Sequence, residues 1–592
     1  MKKALVIGED TRSFLSVIRS LGRMGLSIDV ICFDNRSPAL LSKYIQNSWN
    51  FNYQSSSSED WLENVVKTIN SHEYDLVFPC DERAIFPLLN AKGSINSHSK
   101  LALPNKEVRN SLFDKHLTKK IANREGVRVA KGDLIRLSET NYLRLSRQFS
   151  PKFVIKPTES FNEDKLSTRN KVAIISNEND YENYQSEHAK ESSLFLIEEY
   201  FEGTGEGVSL FSCRGEIQYL FAHTRVNEPR TGGGSSYRKA IPLDQTMIEA
   251  CVNICRATLY DGVGMFEFKK NYSTGEWILI EINARFWGSL PLAIHAGVDF
   301  PKHYAEYLLG RYKVKKDPVI NYKLTSYARS FTSDMYDLRS EMQLVKAESG
   351  ALKSTIYTIN RIASFRRLLN GEKIDSFDWD DKLPFKEEFH QLFNDTAALK
   401  LKKAFRISNS GKNEIQRLLR SLYVNEGKGK LLFVCYGNIM RSPLAEKFTK
   451  LIVDNTQLKF NVESYGFHQN EGRKSPDVCV SMANELGIDL SKHQSSWLQQ
   501  KHIGDRDIIF VFDRKNEVLL AKYYQAKHVF NLASFIPEGM GVHFEIKDPY
   551  GKGDEATRQC YQLIIEAIKN VLEHYLMQLP VTENRMDTII EQ

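Results

Sequence analysis

LLFVCYGNIMRSPLAE, residues Leu431–Glu446, runs from an apolar strand through a five-residue loop bracketed by Cys435 and Arg441 into a helix. That is the layout of a cysteine-based phosphate-transfer site. A thiol with a free pKa of about 8.5 is mostly protonated at neutral pH, so it must be acidified before it can attack phosphorus. A loop that wraps below the thiol and feeds a helix N-terminus aims several backbone N–H groups at one point, where they stabilise a thiolate and a phosphate dianion alike. The loop comprises Tyr436, Gly437, Asn438, Ile439 and Met440. Gly437 lets the backbone approach a ligand closely, and Asn438 accepts a left-handed turn conformation. Arg441 supplies a planar, permanently charged fork for phosphate oxygens. Ser442 can donate to the thiolate, while Pro443 suits the first helical position. A bare Cys-x5-Arg can arise by chance among eight cysteines. The strand–loop–helix setting, the GN pair and the RSP ending carry the reading.

The chemistry also needs an acid for the leaving oxygen, drawn from elsewhere in the chain. The segment IKDPY, Ile546–Tyr550, offers Asp548. Pro549 forces an extended or turn conformation on Asp548 and so keeps the carboxylate on a loop. Tyr550 could form an aromatic wall beside the phosphate.

The pieces VCYGNIMRSP, ESYGF, GIDLSKHQSSWL, DIIFVFD and KDPYG follow one another between about Lys430 and Leu579, and this stretch resembles the low-molecular-weight protein tyrosine phosphatase family. The resemblance implies a small doubly wound α/β domain in which Cys435 is the nucleophile and forms a phosphocysteine. Arg441 would bind the transferring phosphoryl group, Asp548 would be the general acid, and Asn438 and Ser442 would order the loop; no cofactor is expected for this domain. Two positions depart from the family pattern. Met440 stands where many members carry a second, redox-protective cysteine, and Tyr436 fills a specificity position that is often aliphatic. Related arsenate reductases share the fold and loop but need extra thiols. Cys479 and Cys560 are the only later cysteines, and they do not form a closely spaced pair.

The chain has 592 residues, 42% hydrophobic and 26% charged, so several soluble globular domains are expected. A formal charge of +6 gives no argument for nucleic acid. The scattered cysteines, without CxxC pairs or metal spacing, suggest a reducing compartment. MKKALVIGEDTRSF opens like a signal peptide, yet Glu9, Asp10 and Arg12 interrupt the apolar run. No run of about eighteen apolar residues exists, so a cytoplasmic protein without a membrane span is expected.

Upstream, ALVIG, SFLSVIRSLGRMG, SIDVICFD and DLVFPC alternate strand and helix patterns and read as a parallel α/β unit. Gly8 after the first strand is not followed by a full GxGxxG. The middle block contains VIKP, an apolar run LFLIEEYF ending in carboxylates, GMFEF, and the strand Trp277–Arg285. Alternation along that strand places Glu281, Asn283 and Arg285 on one face, opposite core positions of the Leu279 type. With Glu267 from a neighbouring strand, the set supplies oxygen ligands of the kind Mg²⁺ takes together with nucleotide phosphates.

Asp114-Lys115, VIKP, LIEEYFEG, GMFEFK and EINARFWGS together resemble the ATP-grasp superfamily, especially its carboxylate–amine and carbamoyl-phosphate-type ligases, over roughly residues 1–310. The resemblance implies ATP held between two α+β subdomains. Lys115 and Lys156 would contact phosphates, and Glu198, Glu199 and the Phe201 backbone would hold the adenine. Glu206 would face the ribose; Glu267, Glu281 and Asn283 would bind Mg²⁺ or Mn²⁺. The glycine-rich segment Thr231–Arg238 would be a mobile loop near the γ-phosphate or acceptor. Arg238 and Arg285 are the candidates for holding a carboxylate or acylphosphate, and the carboxylate and amine substrates are unknown.

Between about Tyr312 and Asn425 the pattern turns to polar helices with charge runs, including KLKKAFR and NEIQRLLRSL, and reads as a helical linker. FDWDDKLPF inside it resembles an aromatic-anchored turn. The expected fold class is therefore mixed α/β and α+β, multidomain: a pre-ATP-grasp unit at 1–110, the ATP-grasp domain at 111–311, the linker at 312–425, the phosphatase domain at 426–580 and a tail at 581–592. Two functions are open for the whole. One is a bifunctional enzyme, an ATP-dependent ligase fused to a phosphatase of phosphotyrosine proteins or small phosphomonoesters. The other is an active phosphatase carrying a non-catalytic ATP-binding sensor or recruitment module.

Overall fold

Five short apolar segments, β1 (Lys3–Gly8), β2 (Ser27–Cys32), β3 (Ile45–Asn50), β4 (Leu76–Pro79) and β5 (Lys100–Leu101), form a parallel sheet in the order β3-β2-β1-β4-β5. In this computed structural model β1 is buried from Ala4 to Gly8, as a central parallel strand covered on both faces must be. The structure describes residues 2–162, 165–170, 172–188, 194–227, 235–401, 418, 429–454, 461–537, 540 and 545–576. Thr231–Gly234 of the glycine-rich segment, residues 402–406 of KLKKAFR, most of NEIQRLLRSL and the tail at 581–592 lie outside the described residues. The chain divides into two compact units, one made of Met1–Phe33, Ser37–Tyr53 and Ser58–Leu392, the other of Asp34–Arg36, Gln54–Ser57 and Phe393–Gln592.

Within the first unit follow two mainly antiparallel sheets. The smaller has the order β10-β7-β11-β6, from β6 (Gly132–Ile135), β7 (Phe153–Pro157), β10 (Ala173–Ile175) and β11 (Phe195–Glu199), with the short pair β8 (Phe161–Asn162) and β9 (Lys165–Arg169) beside it in sequence. The larger has seven strands in the order β16-β15-β12-β13-β14-β17-β18. These are β12 (Thr204–Cys213), β13 (Glu216–Asn227), β14 (Tyr237–Ala240), β15 (Gly262–Lys270), β16 (Trp277–Asn283), β17 (Tyr327–Arg329) and β18 (Lys373–Ile374).

Strict alternation in β16 would set Leu279 on the same face as Glu281. Instead Glu267 pairs with Glu281 while Phe268 pairs with Leu279, so Ile280 is the extra residue of a β-bulge. The bulge turns Leu279 toward the core that holds Phe266 and Phe268, and leaves Glu281 beside Glu267 on the opposite face.

The expected linker at 312–425 is corrected by the sheet: β17 pairs with β14 and β18 with β17, so the first unit continues to Leu392. The helix Phe331–Ser364 that joins them breaks at Gly350, whose φ is 83°. FDWDDKLPF does anchor through its aromatics, since Phe377 and Phe385 stack edge-on at 5.5 Å. Its carboxylates do as much. Asp381 bonds Arg19 at 2.9 Å and the Ser42 hydroxyl at 2.7 Å, and Asp380 bonds Arg23 at 2.7 Å, which ties the turn to the helix Ser13–Arg23.

Arg238, the expected substrate residue on β14, donates two bonds to Asp375 at 2.7 and 2.6 Å and one to the Gly288 carbonyl at 2.7 Å. Both side chains of the pair are only 2% exposed. Removing one partner leaves a buried charge unpaired. Arg238→Ala is therefore expected to destabilise the first unit by about 3–5 kcal/mol, checked by urea unfolding of the full chain.

The second unit is a parallel sheet in the order β20-β19-β21-β22, from β19 (Lys430–Cys435), β20 (Asn461–Gly466), β21 (Ile508–Val511) and β22 (His528–Asn531). Alternate residues of β19 enter different cores, Leu431 and Phe433 on one face and Leu432 and Val434 on the other. Because β19 is central and the chain leaves it in both directions, the crevice at its carboxyl end is the switch point where doubly wound sheets bind ligands. Cys435 is the last residue of that strand. Among the described residues no helix is long and apolar enough to cross a membrane.

Candidate functional site

The loop after β19 closes around one sulfur. The Cys435 side chain is 3% exposed, its Sγ accepts the Asn438 N–H at 3.2 Å, and the Ser442 hydroxyl lies 3.1 Å away. Asn438 sits at φ 51°, the left-handed conformation that asparagine tolerates. Its side chain repays that strain with three bonds. Nδ2 donates to the hydroxyls of Ser442 and Ser464, both at 2.9 Å, and Oδ1 accepts the Ser496 N–H at 2.8 Å. The glycine of ESYGF has a matching part, which its sequence did not announce. A Cβ on Gly466 would lie 2.9 Å from the Asn438 nitrogen, so only glycine lets β20 pass this close to the loop.

Arg441 opens the following helix with its side chain 1% exposed. Nη1 donates to Asp513 at 2.6 Å and to the Ile546 carbonyl at 2.9 Å, while Nη2 donates to Asp548 at 2.7 Å. Burial opposes the guanidinium's charge, but Cys435, Asp548 and Asp513 outweigh it and raise the pKa above the ordinary value. Asp513 carries no motif of its own in the sequence, but it caps the helix after β21. Its Oδ1 accepts the Asn516 N–H at 2.8 Å, and the other oxygen fixes Arg441.

Asp548 lies on a loop and its side chain is 42% exposed, with Tyr550 at the surface two residues on. Tyr436 is 39% exposed. The structure thus gathers Cys435, Asn438, Arg441, Ser442 and Asp548, with Tyr436 exposed at the start of the loop. The Met440 carbonyl faces the Tyr561 hydroxyl at 3.4 Å. Burial pushes the Cys560 thiol up to about 12 and raises that of Cys479, which holds both as thiols rather than reactive thiolates.

In the first unit, Glu198 is 2% exposed and holds two lysines, Lys156 at 2.7 Å and Lys119 on its other oxygen. Lys119 also donates to the Ala130 carbonyl at 2.7 Å, and burial lowers its pKa. It stands one helical turn beyond Lys115 on the helix Lys115–Arg124. Lys115 reaches the Ser160 hydroxyl at 3.4 Å. Burial would raise the Glu281 pKa, but Lys115, Lys156 and the Asn283 amide bring it below the usual carboxylate range, with Asn283 Nδ2 3.2 Å from Glu281 Oε1. Lys115, Lys156, Glu281 and Asn283 therefore converge.

The other expected residues have protein partners. Glu267 is ion-paired with Arg225, and the Tyr272 hydroxyl donates to Glu206. The Phe201 carbonyl accepts from Lys269 at 3.1 Å, and Glu199 accepts the Lys131 N–H at 3.0 Å. Arg285 lies past the end of β16 and pairs with Glu82 at 2.8 Å. Arg238 is committed to Asp375.

Glu267 and Glu281, directly opposed on adjacent strands, would repel without cations nearby. Their hard oxygen donors and the Asn283 amide oxygen fit Mg²⁺. No cluster of three or more His, Cys, Asp or Glu side chains is placed for a metal among the described residues.

Comparison with known proteins separates the two units. Residues 430–580 match the family described as low molecular weight phosphotyrosine protein phosphatase, and residues 191–328 match that described as ATP-grasp in the biosynthetic pathway with Ter operon. A protein-arginine-phosphatase of Geobacillus stearothermophilus is 30% identical over 150 residues, 24% of this chain and 96% of that protein. A probable low molecular weight protein-tyrosine-phosphatase of Ralstonia solanacearum is 30% identical over 136 residues, 23% and 87% respectively. The biotin carboxylase domain of the Hydrogenobacter thermophilus 2-oxoglutarate carboxylase aligns with a TM-score of 0.44 at 16% identity, over 55% of this chain and 73% of that one.

Proposed function

We propose, for a chain that belongs through residues 430–580 to the low molecular weight phosphotyrosine protein phosphatase family, that Cys435 hydrolyses phosphotyrosine through a phosphocysteine. The single observation that carries this reading is the convergence of Arg441 with Asp548 beside a sulfur that already accepts a loop N–H. Substrate phosphate takes over the Arg441 donors and frees Asp548. The Cys435 sulfur then forms the S–P bond as the P–O bond breaks, and protonated Asp548 delivers its proton to the departing phenolate oxygen. In the second step water attacks phosphorus, the S–P bond breaks, and the Asp548 carboxylate accepts the water's proton. Ser442 and the loop N–H groups stabilise the departing thiolate.

Relatives of this domain bear the names of tyrosine and arginine phosphatases. Exposed Tyr436 and Tyr550 favour the aryl ester here, because two aromatic rings can flank a phenyl ring. Acid quenching during turnover of p-nitrophenyl phosphate should trap one phosphoryl group on Cys435. A full turnover rate with no label on Cys435 removes the covalent reading.

The chain also carries an ATP-grasp domain. For it we infer a ligase that uses ATP and Mg²⁺, or Mn²⁺, to activate a carboxylate as an acylphosphate for an amine. Lys115 and Lys156 would meet the phosphates; Glu267, Glu281 and Asn283 would hold the ion, which supplies charge neutralisation between phosphate groups when bound. Glu198 positions Lys156 through their 2.7 Å bond. The Arg225 clamp on Glu267 favours a second reading, a nucleotide sensor that binds ATP without turnover. ADP release by wild type and Glu281→Ala, measured across candidate carboxylates, separates the two. Turnover that needs Glu281 supports the ligase, whereas ATP binding with no Glu281-dependent release under any carboxylate leaves the sensor.

A further inference from the structure

On the reading that Cys435 hydrolyses phosphotyrosine, we propose that Arg473 and Lys515 make the mouth of the site select phosphotyrosines flanked by acidic residues. Each cation is attached to one of the first two residues of the catalytic loop. The Lys515 ammonium lies 3.9 Å from the centroid of the Tyr436 ring, on the residue after the nucleophile. Arg473 donates through one Nη2 to the Gly437 carbonyl and through Nε to the Asn470 carbonyl at 3.0 Å. Burial lowers the Arg473 pKa, and the Cys435, Tyr550 and Tyr436 groups act against that, which places its charge beside the nucleophile and both exposed tyrosines. The guanidinium is held by two backbone carbonyls, acceptors without formal charge, so its positive charge is not neutralised by them.

Among the described residues, Asp513 and Asp548 meet Arg441, while Glu545 accepts the Arg514 N–H at 3.2 Å and Glu471 accepts the Trp497 N–H at 2.9 Å. Neither Arg473 nor Lys515 forms an ion pair among the described residues. The loop therefore carries two cations without an ion-pair partner among the described residues, one at Tyr436 and one at Gly437, and the complementary ligand is an extended acidic peptide around the phosphotyrosine. Neither cation donates to the Cys435 sulfur, whose described partners are the Asn438 N–H and the Ser442 hydroxyl. The effect of the cations belongs in the capture of substrate, read in kcat/KM, and not in the turnover of a substrate without flanks.

Three phosphotyrosyl peptides of equal length, with glutamate, glutamine or lysine flanks, are compared by phosphate release from the full chain, with p-nitrophenyl phosphate as the flank-free reference. The expected result is a kcat/KM about tenfold higher for the glutamate than for the lysine peptide, a ratio that shrinks in high salt. Lys515→Gln should cut that ratio by about threefold and leave p-nitrophenyl phosphate turnover unchanged, and Arg473→Gln should cut it likewise. Equal rates for the three peptides, with p-nitrophenyl phosphate still hydrolysed, overturn this inference and spare the phosphatase reading. A ratio that survives both substitutions also overturns it. Absence of hydrolysis of all four substrates overturns the phosphatase reading on which it rests.

Discussion

Cys435→Ser is expected to abolish hydrolysis of p-nitrophenyl phosphate by the full chain, a loss on the order of 10⁴-fold or more, as for other removed nucleophiles. The serine fits the space, since Cys435 is buried at the end of β19 and the substitution only shortens one bond and shrinks one atom. What is lost is nucleophilicity. An alcohol at this position stays protonated, and among the described partners of the sulfur there is no general base; they are the Asn438 N–H and the Ser442 hydroxyl. The variant should keep the wild-type unfolding midpoint and still bind phosphate. Asp548→Ala in the same assay should lose about 10²–10⁴-fold, and less with a leaving group that needs no proton. Unchanged turnover in the serine variant would remove every role assigned to the loop.

Arg441 is the next largest. Arg441→Ala should lower kcat/KM for an aryl phosphate by about 10³–10⁵, the range that a single arginine contributes to phosphoryl transfer. Arg441→Lys should recover little of this. One ammonium can replace the charge but not the fork that meets Asp513, Asp548 and the Ile546 carbonyl along two nitrogens. Removing the guanidinium also strands Asp513, whose side chain is 13% exposed, so part of the loss is structural. Asp513→Asn separates the contributions. It retains the helix cap and tests whether the Arg441 orientation alone controls KM. A lysine variant with wild-type kcat/KM would show that the fork has no part in transition-state binding.

The candidate loop was legible in the sequence because its residues are contiguous: Cys435, Asn438, Arg441 and Ser442 fall within eight residues. Asp548 was legible through Pro549, which denies it a helix. Asp513 and Gly466 were not, because they reach the loop only when β20 and β21 end beside β19. In the first unit, apolar strands such as β12 and β15 announced themselves, and Glu281 was found on the correct face although the bulge at Ile280, and not alternation, puts it there. Lys119 and Arg225 were missed because a charged side chain on a helix or a strand end looks solvated until its buried partner is known. The region after residue 312 was misread for a different reason. β17 and β18 have three and two residues, too few for any hydrophobic period to show, and the groups that secure them are charged.

Those two short strands govern where this chain can be cut. A piece ending near residue 311 would expose the edge of β14 as a row of unpaired backbone groups and would take Asp375 away from Arg238. Such a fragment is primed to aggregate, however complete its nucleotide residues are. A fragment that keeps β17 and β18 with the sheet has to reach Leu392, where the first unit ends.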